Sequence, residues 1–189
     1  TGVNGFSGRH LAAFLAREPG LAVLGTGRSI RPSVPVAGYR PCDVTDEQAI
    51  QELVAWAMPD AVYHLAGAWN AATEEALFDV NVRAFERLRD ALRGQAQGRA
   101  VRMLVVGSAA EIGLVPPAQL PVDESVACHP VTAYGRSKHA LVQAALAEPA
   151  GSGLEIVVAR PFNLIGAGLS DKLAPGRFAA AVRAVARGE

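Results

Sequence analysis

The stretch Gly2-Val3-Asn4-Gly5-Phe6-Ser7-Gly8 carries three glycines at three-residue intervals, and a segment with apolar residues at helical spacing follows it directly. Glycines let a backbone turn tightly and approach a phosphate closely, and a helix N-terminus stabilises the charge of that phosphate. The stretch therefore favours a dinucleotide-binding loop that opens a first helix over about 6–17. Such a loop normally follows a strand, and because only Thr1 precedes this one, we expect the first strand to be missing.

Short apolar segments alternate with amphipathic segments along the rest of the chain. Strands are predicted at 21–26, just before 42–43, and at 61–65, 102–107 and 155–159, with helices at 46–58, 73–93, 133–147 and 178–187. The run Met103-Leu104-Val105-Val106 lacks polar alternation, which is typical of a strand covered on both faces. We therefore predict an α/β fold with a doubly wound parallel sheet (Rossmann), in which residues 1–189 form one partial domain.

The composition of the 189 residues excludes several classes of protein. Eighteen basic and eighteen acidic residues cancel, so nothing indicates binding to nucleic acid or to a membrane surface. Half of the residues are apolar, which is enough for one core, yet no apolar run approaches the roughly 18 residues of a membrane span. Cys42 and Cys128 are too few and too isolated for a disulfide framework or a zinc site. We expect a cytoplasmic protein without a bound metal.

The choice between NADP and NAD depends on the end of the strand predicted at 21–26. An NAD site usually places an acidic residue there to bind the ribose 2′-hydroxyl, whereas an arginine suits a 2′-phosphate. The sequence there is Thr26-Gly27-Arg28, with no carboxylate, so Arg28 favours NADP. If Arg28 is only a solvated surface residue, NAD remains possible.

Tyr134-Gly135-Arg136-Ser137-Lys138 holds the most specific chemical pattern in the chain. A tyrosine and a lysine four residues apart lie on one face of a helix, one turn from each other. A free tyrosine phenol is a poor acid or base near neutral pH, and a neighbouring ammonium favours its phenolate form. The chain has only two lysines, which makes this placement informative. We therefore predict that Tyr134 transfers a proton with the support of Lys138.

Ser108 is the expected third member of this catalytic group. It follows the strand predicted at 102–107 and so lies at the carboxyl edge of the sheet, where open α/β sheets bind ligands. Its hydroxyl can hydrogen-bond a substrate oxygen while Tyr134 transfers the proton. Taken alone, a serine at this place is an ordinary turn residue, so the assignment depends on the pairing with Tyr134 and Lys138.

Several segments occur together in one order, and through them the chain resembles the extended short-chain dehydrogenase/reductases. The resemblance is to the NAD-dependent epimerase/dehydratase family, which acts on nucleotide sugars. The matching segments are the glycine-rich loop, Cys42-Asp43-Val44-Thr45-Asp46, His64-Leu65-Ala66-Gly67, Ser108, the Tyr134 to Lys138 segment and Arg160-Pro161-Phe162-Asn163. They cover nearly the whole chain, so the joint match is far more specific than any single segment.

The resemblance implies roles for individual residues. Asp43 and Val44 would lie against the adenine, Leu65 and Ala66 would line the channel for the ribose and nicotinamide, and Lys138 would hold the nicotinamide ribose. The complete set expected to bind the cofactor is Gly2, Asn4, Gly5, Phe6, Gly8, Arg28, Asp43, Val44, Leu65, Ala66, Gly67, Tyr134 and Lys138. The residues expected to bind the substrate are Ser108, Asn163 and Arg177. Relatives in the family also have a small C-terminal substrate lobe, which we expect this chain to lack.

Two further segments narrow the resemblance to one branch of the family. Residues 160–166 and 175–179 are similar to the GDP-mannose dehydratases and GDP-4-keto-6-deoxymannose reductases, a branch that mostly uses NADP. In the dehydratases an acid follows the catalytic hydroxyl within two residues, but this chain has Ala109 and Ala110, so dehydration is not expected. Glu111 is either structural or in contact with substrate. Ile112 stands where the family often has tyrosine, which makes the sugar pocket less predictable.

The leading hypothesis is an NADP-dependent reductase for the 4-keto group of a nucleotide-activated deoxysugar. A nucleotide-sugar 4-epimerase with tightly held NAD uses the same three catalytic residues, and some extended members reduce carbonyls that are not sugars. An alternative of another class is a non-catalytic dinucleotide sensor, although a sensor needs no proton-transfer group. The resemblance also implies a homodimer through the helices at 73–93 and 133–147, unless their apolar stripes belong to the core of one chain.

Overall fold

The computed structural model describes residues 1–95 and 99–188, which contain five strands and six α-helices. The strands are β1 (Leu24–Gly27), β2 (Gly38–Pro41), β3 (Ala61–His64), β4 (Val101–Val106) and β5 (Leu154–Ala159). The α-helices are α1 (Phe6–Leu15), α2 (Glu47–Ala57), α3 (Glu74–Phe78), α4 (Ala84–Gln95), α5 (Ala133–Leu146) and α6 (Ala174–Ala186). None of the helices in the described ranges is long and apolar enough to cross a membrane.

All strand pairs in the described residues are parallel, as predicted, but they form two separate sheets. β1 pairs with β2, while β3, β4 and β5 pair in that order. The first residues of the chain join the two sheets: the Thr1 amino group donates to the Tyr63 carbonyl at 2.7 Å, and the Val3 N–H donates to the Thr26 carbonyl at 3.1 Å. The order across the molecule is thus β2, β1, residues 1–3, β3, β4, β5, which is a Rossmann-like arrangement.

An apolar cavity of about 450 Å³ lies between the two sheets. Its lining includes Leu11 of α1, Leu53 of α2, Val62 of β3 and Leu88 of α4. The cavity lies between β1 and β3, beside the residues 1–3 that connect the two sheets.

The main core lies on one face of the three-stranded sheet. Alternate residues of β4, Val101, Met103 and Val105, are buried there against helices α2, α4 and α5. The opposite face is less covered in the described residues, since Arg102 and Val157 are exposed on it. The uneven coverage explains why the two faces of β4 differ in burial although its sequence lacks polar alternation.

The prediction of one continuous helix over 73–93 is wrong. The segment is divided into α3, a π-helical turn at Asp79–Arg83, and α4. The turn buries Asn81, whose side chain accepts from the Ala68 N–H and donates to the Ala68 carbonyl, both at 2.8 Å. These long-range bonds hold the extra residue in the turn, and π turns of this kind are frequent at functional sites.

The start of α5, which carries two of the predicted catalytic residues, is fixed by a capping side chain. The Thr132 hydroxyl accepts from the Gly135 N–H at 2.9 Å, which satisfies one of the unpaired N–H groups of the first turn.

α6 begins at Ala174, four residues before the predicted start at 178, because Pro175 is tolerated in a first helical turn.

Candidate functional site

The glycine-rich loop has the tight geometry that a phosphate cradle requires. Gly2 has φ +71°, and a Cβ atom there would lie 2.7 Å from the Ala66 nitrogen. A Cβ atom on Gly8 would overlap the Gly2 carbonyl oxygen. Gly5 is the N-cap of α1 and supplies no capping side chain, so the first-turn N–H groups are left for an external acceptor. The loop therefore fits a dinucleotide pyrophosphate.

Two other predicted cofactor residues stand where β1 and β2 end. Arg28 is exposed directly after β1. The Asp43 carboxylate accepts from the Thr45 N–H and hydroxyl at 3.0 and 2.8 Å. These hydrogen bonds, and more weakly the Arg28 charge, lower the pKa of the Asp43 carboxyl against the opposing effect of burial. Val44, by contrast, packs partly against the main core.

Asn4 does not leave its side chain free for a ligand. Its amide forms four hydrogen bonds, which reach Arg31, Ser33 and Tyr39 in and after the segment that follows β1. The predicted cofactor residue Phe6 lies in the first turn of α1, where its ring meets the His10 ring edge-on at 5.1 Å between centroids. The side chains of both residues thus contact other residues of this chain.

The three predicted cofactor residues after β3 lie near helix α5. Leu65 and Ala66 are partly buried, and Ala66 backs onto Gly2 as described above. A Cβ atom on Gly67 would lie 3.0 Å from Asn81 Oδ1 and 3.6 Å from Lys138 Nζ. The end of β3 therefore lies between the glycine-rich loop and Lys138.

Ser108 follows β4 and begins a short 3₁₀ turn, Ala109–Glu111. Its hydroxyl accepts from the Ala110 N–H at 3.2 Å, and its own N–H donates to Glu111 Oε1 at 2.6 Å. Glu111 is fully buried, and its Oε2 also accepts from Arg160 Nε at 3.3 Å. Of the two roles left open by the sequence, these contacts place Glu111 in a structural one, as the residue that fixes the Ser108 turn.

Lys138 lies at the same end of β4. Its ammonium donates to the Val106 carbonyl at 2.7 Å, two residues before Ser108. Burial lowers the pKa of the Lys138 ammonium to about 8, and the Glu111 carboxylate offsets part of that decrease. α5 lies close against the 3₁₀ turn at Gly135, next to Tyr134. A Cβ atom on Gly135 would overlap the Ala110 carbonyl oxygen, so the absence of a side chain there allows the close approach. The structure therefore brings Ser108, Lys138 and the Tyr134 helical turn to one strand end.

Sequence reasoning missed two buried residues that connect this site. Asn81 Nδ2 donates to Ser137 Oγ at 2.9 Å, and Ser137 Oγ donates to the Tyr134 carbonyl at 2.8 Å. Both side chains are almost completely buried. In the sequence, Ser137 was noted only as one of the residues between Tyr134 and Lys138. Asn81 lies in a segment whose apolar spacing predicted a regular helix, and nothing in that spacing indicated the π turn.

The two predicted substrate residues beyond β5 are less closely tied to the site. Asn163 and Arg177 are both exposed, and no side-chain contact joins either of them to Ser108 in the described residues. The segment itself is anchored, since the Pro161 carbonyl accepts from the Ala109 N–H at 3.0 Å. Further along, Arg9 Nη2 of α1 donates to the Gly168 carbonyl at 3.0 Å.

The carboxylate of Glu111, the thiol of Cys128 and the imidazole of His139 lie together near the Ser108 turn. Their potential ligand atoms are within 4.8 Å of one another. The Glu111 oxygens, however, already accept from the Ser108 N–H and from the Arg160 guanidinium. A cation at this place would meet the positive charge of Arg160, so the cluster fits an ion pair better than a metal.

Residues 1–189 match the NAD dependent epimerase/dehydratase family, and the chain belongs to that family, as its motifs led us to expect. The chain is 34% identical over 194 residues to the GDP-6-deoxy-D-mannose reductase of Pseudomonas aeruginosa, covering 99% of this chain and 57% of that protein. It is 30% identical over 170 residues to the dTDP-6-deoxy-L-talose 4-dehydrogenase (NAD(P)(+)) of Kitasatospora kifunensis, covering 88% of this chain and 52% of that protein.

A solved structure, that of RMD from Pseudomonas aeruginosa complexed with NADPH, is similar over the full length of this chain. It superposes with a TM-score of 0.79 at 27% identity, and the match covers 60% of that protein. The chain therefore spans little more than half the length of these relatives.

Proposed function

We propose that this chain is the dinucleotide-binding domain of an NADP-dependent reductase that acts on the 4-keto group of a nucleotide-activated deoxysugar. Similarity to the GDP-6-deoxy-D-mannose reductase supports the reaction class. The tight glycine-rich loop and the exposed Arg28 after β1 support NADP as the cofactor. NAD is the alternative cofactor.

Each catalytic residue has one task in this proposal. When bound, NADPH supplies a hydride to the keto carbon and leaves as NADP⁺. Tyr134 gives its phenolic proton to the oxygen that becomes an alkoxide, and Ser108 donates a hydrogen bond to the same oxygen. Lys138 holds a positive charge beside the phenolate that remains. Asn163 and Arg177 would hold the sugar nucleotide.

The observation that carries the proposal is the bond from Lys138 to the Val106 carbonyl. It places the ammonium of Lys138, a residue that is 7% exposed, at the end of β4 beside the turn that Ser108 begins. A cation buried in this way loses solvation, and a folded chain retains such a group where the charge has a role. A non-catalytic dinucleotide sensor could use this ammonium to hold the nicotinamide ribose, but it would not need the tyrosine one helical turn away.

The test is the oxidation of NADPH by the full-length protein in the presence of GDP-4-keto-6-deoxymannose. We expect one NADPH to be consumed for each 4-keto group reduced. Tyr134→Phe should lower kcat by about 10²- to 10⁴-fold while NADPH affinity is retained, because only the proton donor is removed. Tyr63→Phe is the matched control, since the Tyr63 hydroxyl forms no hydrogen bond in the described residues.

Four outcomes would contradict the proposal or a part of it. Full turnover by Tyr134→Phe would remove the proton-transfer role. NADPH binding by the wild-type protein without any turnover would favour a sensor. Sugar interconversion without net consumption of NADPH, with NAD retained through purification, would instead identify a 4-epimerase, the activity named in the description of the family. A preference for NADPH that survives Arg28→Ala would remove Arg28 from the proposal.

The homodimer remains a prediction. We propose that the segment 73–93, which holds α3, the π turn and most of α4, forms its interface together with α5, as the family resemblance implies. Much of their apolar surface is already used within one chain, since Leu88 and Leu141 belong to the main core. Sedimentation of the full-length protein would decide between a dimer and a monomer.

A further inference from the structure

We propose that Asn4 and Tyr39 are positioning residues for cofactor discrimination, because they fix the segment 28–33 that would bind the 2′-phosphate of NADPH. This inference rests on the proposed function and deepens it. Asn4 belongs to the glycine-rich loop, Tyr39 belongs to β2, and the segment between them in space follows β1.

The Asn4 amide uses its complete hydrogen-bonding capacity on this segment and on Tyr39. Its oxygen accepts from the Ser33 N–H at 2.7 Å and from the Ser33 hydroxyl at 3.0 Å. Its nitrogen donates to the Arg31 carbonyl and to the Tyr39 hydroxyl, both at 3.2 Å. An amide has two donor hydrogens and two acceptor lone pairs, so none is left for a phosphate. Asn4 therefore acts on the cofactor through the segment that it holds.

Tyr39 extends the same chain of bonds. Its hydroxyl accepts from Asn4 and lies 2.6 Å from the Ser29 carbonyl and 3.1 Å from the Gly27 carbonyl, to either of which it can donate. The segment is thereby tied at its start through Ser29, in the middle through Arg31 and at its end through Ser33. We call these side-chain bonds of Asn4 and Tyr39 the Asn4–Tyr39 clamp.

The segment held by the clamp has the chemistry of a phosphate site. It carries the guanidinium groups of Arg28 and Arg31, and neither forms a hydrogen bond or ion pair with its side chain in the described residues. Arginine pairs with phosphate oxygens through two parallel N–H bonds, which requires a fixed position of the backbone that carries it. The adenosine ribose lies at the carboxyl end of the strand before this segment in dinucleotide folds.

The clamp also links the two halves of the cofactor site. One end, Asn4, lies in the loop that receives the pyrophosphate, and the other lies beside the segment for the 2′-phosphate. Because Asn4 is covalently part of the first and hydrogen-bonded to the second, the distance between the two anion sites is fixed before the cofactor arrives. Such preorganisation strengthens binding only for a cofactor that has both anionic groups.

The test compares NADPH and NADH affinities, measured by fluorescence titration of the full-length protein and three variants. Asn4→Ala should weaken NADPH binding by about tenfold and leave NADH binding nearly unchanged, because NADH makes no use of the segment. Tyr39→Phe should have a smaller effect of the same kind. Ser33→Ala should weaken NADPH binding least, since the Ser33 N–H still donates to Asn4.

Two controls separate discrimination from general damage. Asn70→Ala and Tyr63→Phe remove an exposed amide and an uncommitted hydroxyl, and both should keep the wild-type ratio of NADPH to NADH affinity. Equal loss of both cofactors in Asn4→Ala, or an unchanged ratio in Asn4→Ala and Tyr39→Phe, would overturn the inference while leaving the proposed reductase intact. A wild-type protein that does not prefer NADPH would overturn both.

Discussion

The Asn81 side chain donates to the Ser137 hydroxyl across 2.9 Å, and this bond joins the π turn of the α3–α4 segment to helix α5. The same amide satisfies both backbone groups of Ala68, and Ser137 continues the chain to the Tyr134 carbonyl. Three parts of the chain are therefore held together by one buried side chain. Its removal leaves several buried polar groups without partners, which is more unfavourable than the loss of exposed hydrogen bonds.

Asn81→Ala should lower the free energy of unfolding by about 2 to 4 kcal/mol, because the Ala68 N–H and carbonyl lose their buried partner. The measurement is urea-induced unfolding followed by circular dichroism. Asn70→Ala removes an exposed amide and should change the free energy by less than about 0.5 kcal/mol. A similar small change in Asn81→Ala would show that water replaces the amide.

The lowered pKa of Lys138 predicts that stability rises with pH in alkaline solution. The ammonium has a pKa of about 8 in the folded protein, against 10.5 in an unperturbed lysine. Between these values the unfolded state binds a proton that the folded state does not, so this residue makes folding more favourable as the pH increases. Below about pH 8 both states are protonated, and the full penalty of the buried charge, about 3 kcal/mol, remains.

Unfolding measured from pH 7 to pH 10.5 should therefore show this increase in the wild type and lose it in Lys138→Met. Lys172→Met is the matched control, because Lys172 is exposed, and it should follow the wild-type profile. Parallel profiles for the wild type and Lys138→Met would contradict the assigned burial of the ammonium.

Glu111→Gln tests the residue that fixes the Ser108 turn. The variant loses the charge paired with Arg160 and one acceptor oxygen, so we expect a loss of about 1 to 3 kcal/mol in the free energy of unfolding. Because the Glu111 carboxylate raises the pKa of Lys138, its removal should also move the alkaline stability increase to lower pH. Glu124→Gln, at an exposed position, should change neither the free energy of unfolding nor the pH at which stability begins to rise.

Gly8→Ala tests the fit of the glycine-rich loop. The new methyl group would overlap the Gly2 carbonyl oxygen, so the loop must shift, with an expected destabilisation of about 1 to 3 kcal/mol and a clear loss of NADPH affinity. Gly94→Ala introduces the same methyl group into α4, where nothing lies within 4 Å, and should be neutral or stabilising. Equal NADPH affinities in the two variants would contradict the cradle geometry.

Much of the fold could be predicted from local signals. The helices predicted to begin at 46 and 133 begin at Glu47 and Ala133, and the side chains of Asp46 and Thr132 accept from N–H groups that these helices leave unpaired. The π turn could not be predicted in this way. It depends on Asn81 reaching Ala68, a residue of another segment, and no glycine or proline marks the place.

The candidate site shows the same contrast between local signals, which could be read from the sequence, and long-range contacts, which could not. Tyr134, Lys138 and Ser108 could be predicted as a catalytic group because spacing on one helix and position after one strand are properties of the sequence itself. Glu111 was found but its role stayed open, since only the structure shows that it accepts from Arg160, 49 residues away. The partners of Asn4 were not predicted, because they lie in a segment brought close by the pairing of β1 with β2.

The contact of α1 with the segment beyond β5 has a thermodynamic consequence. Arg9 bonds to Gly168, and His10 Nε2 lies 2.8 Å from the Ala167 carbonyl, so the helix that would face the pyrophosphate touches the chain that continues from Asn163. A ligand that displaces this segment must also disturb α1. Binding free energies are reciprocal, so the factor by which such a ligand changes dinucleotide affinity equals the factor by which the dinucleotide changes the affinity for that ligand. These two contacts therefore contribute to a coupling free energy between the dinucleotide site and the segment beyond β5.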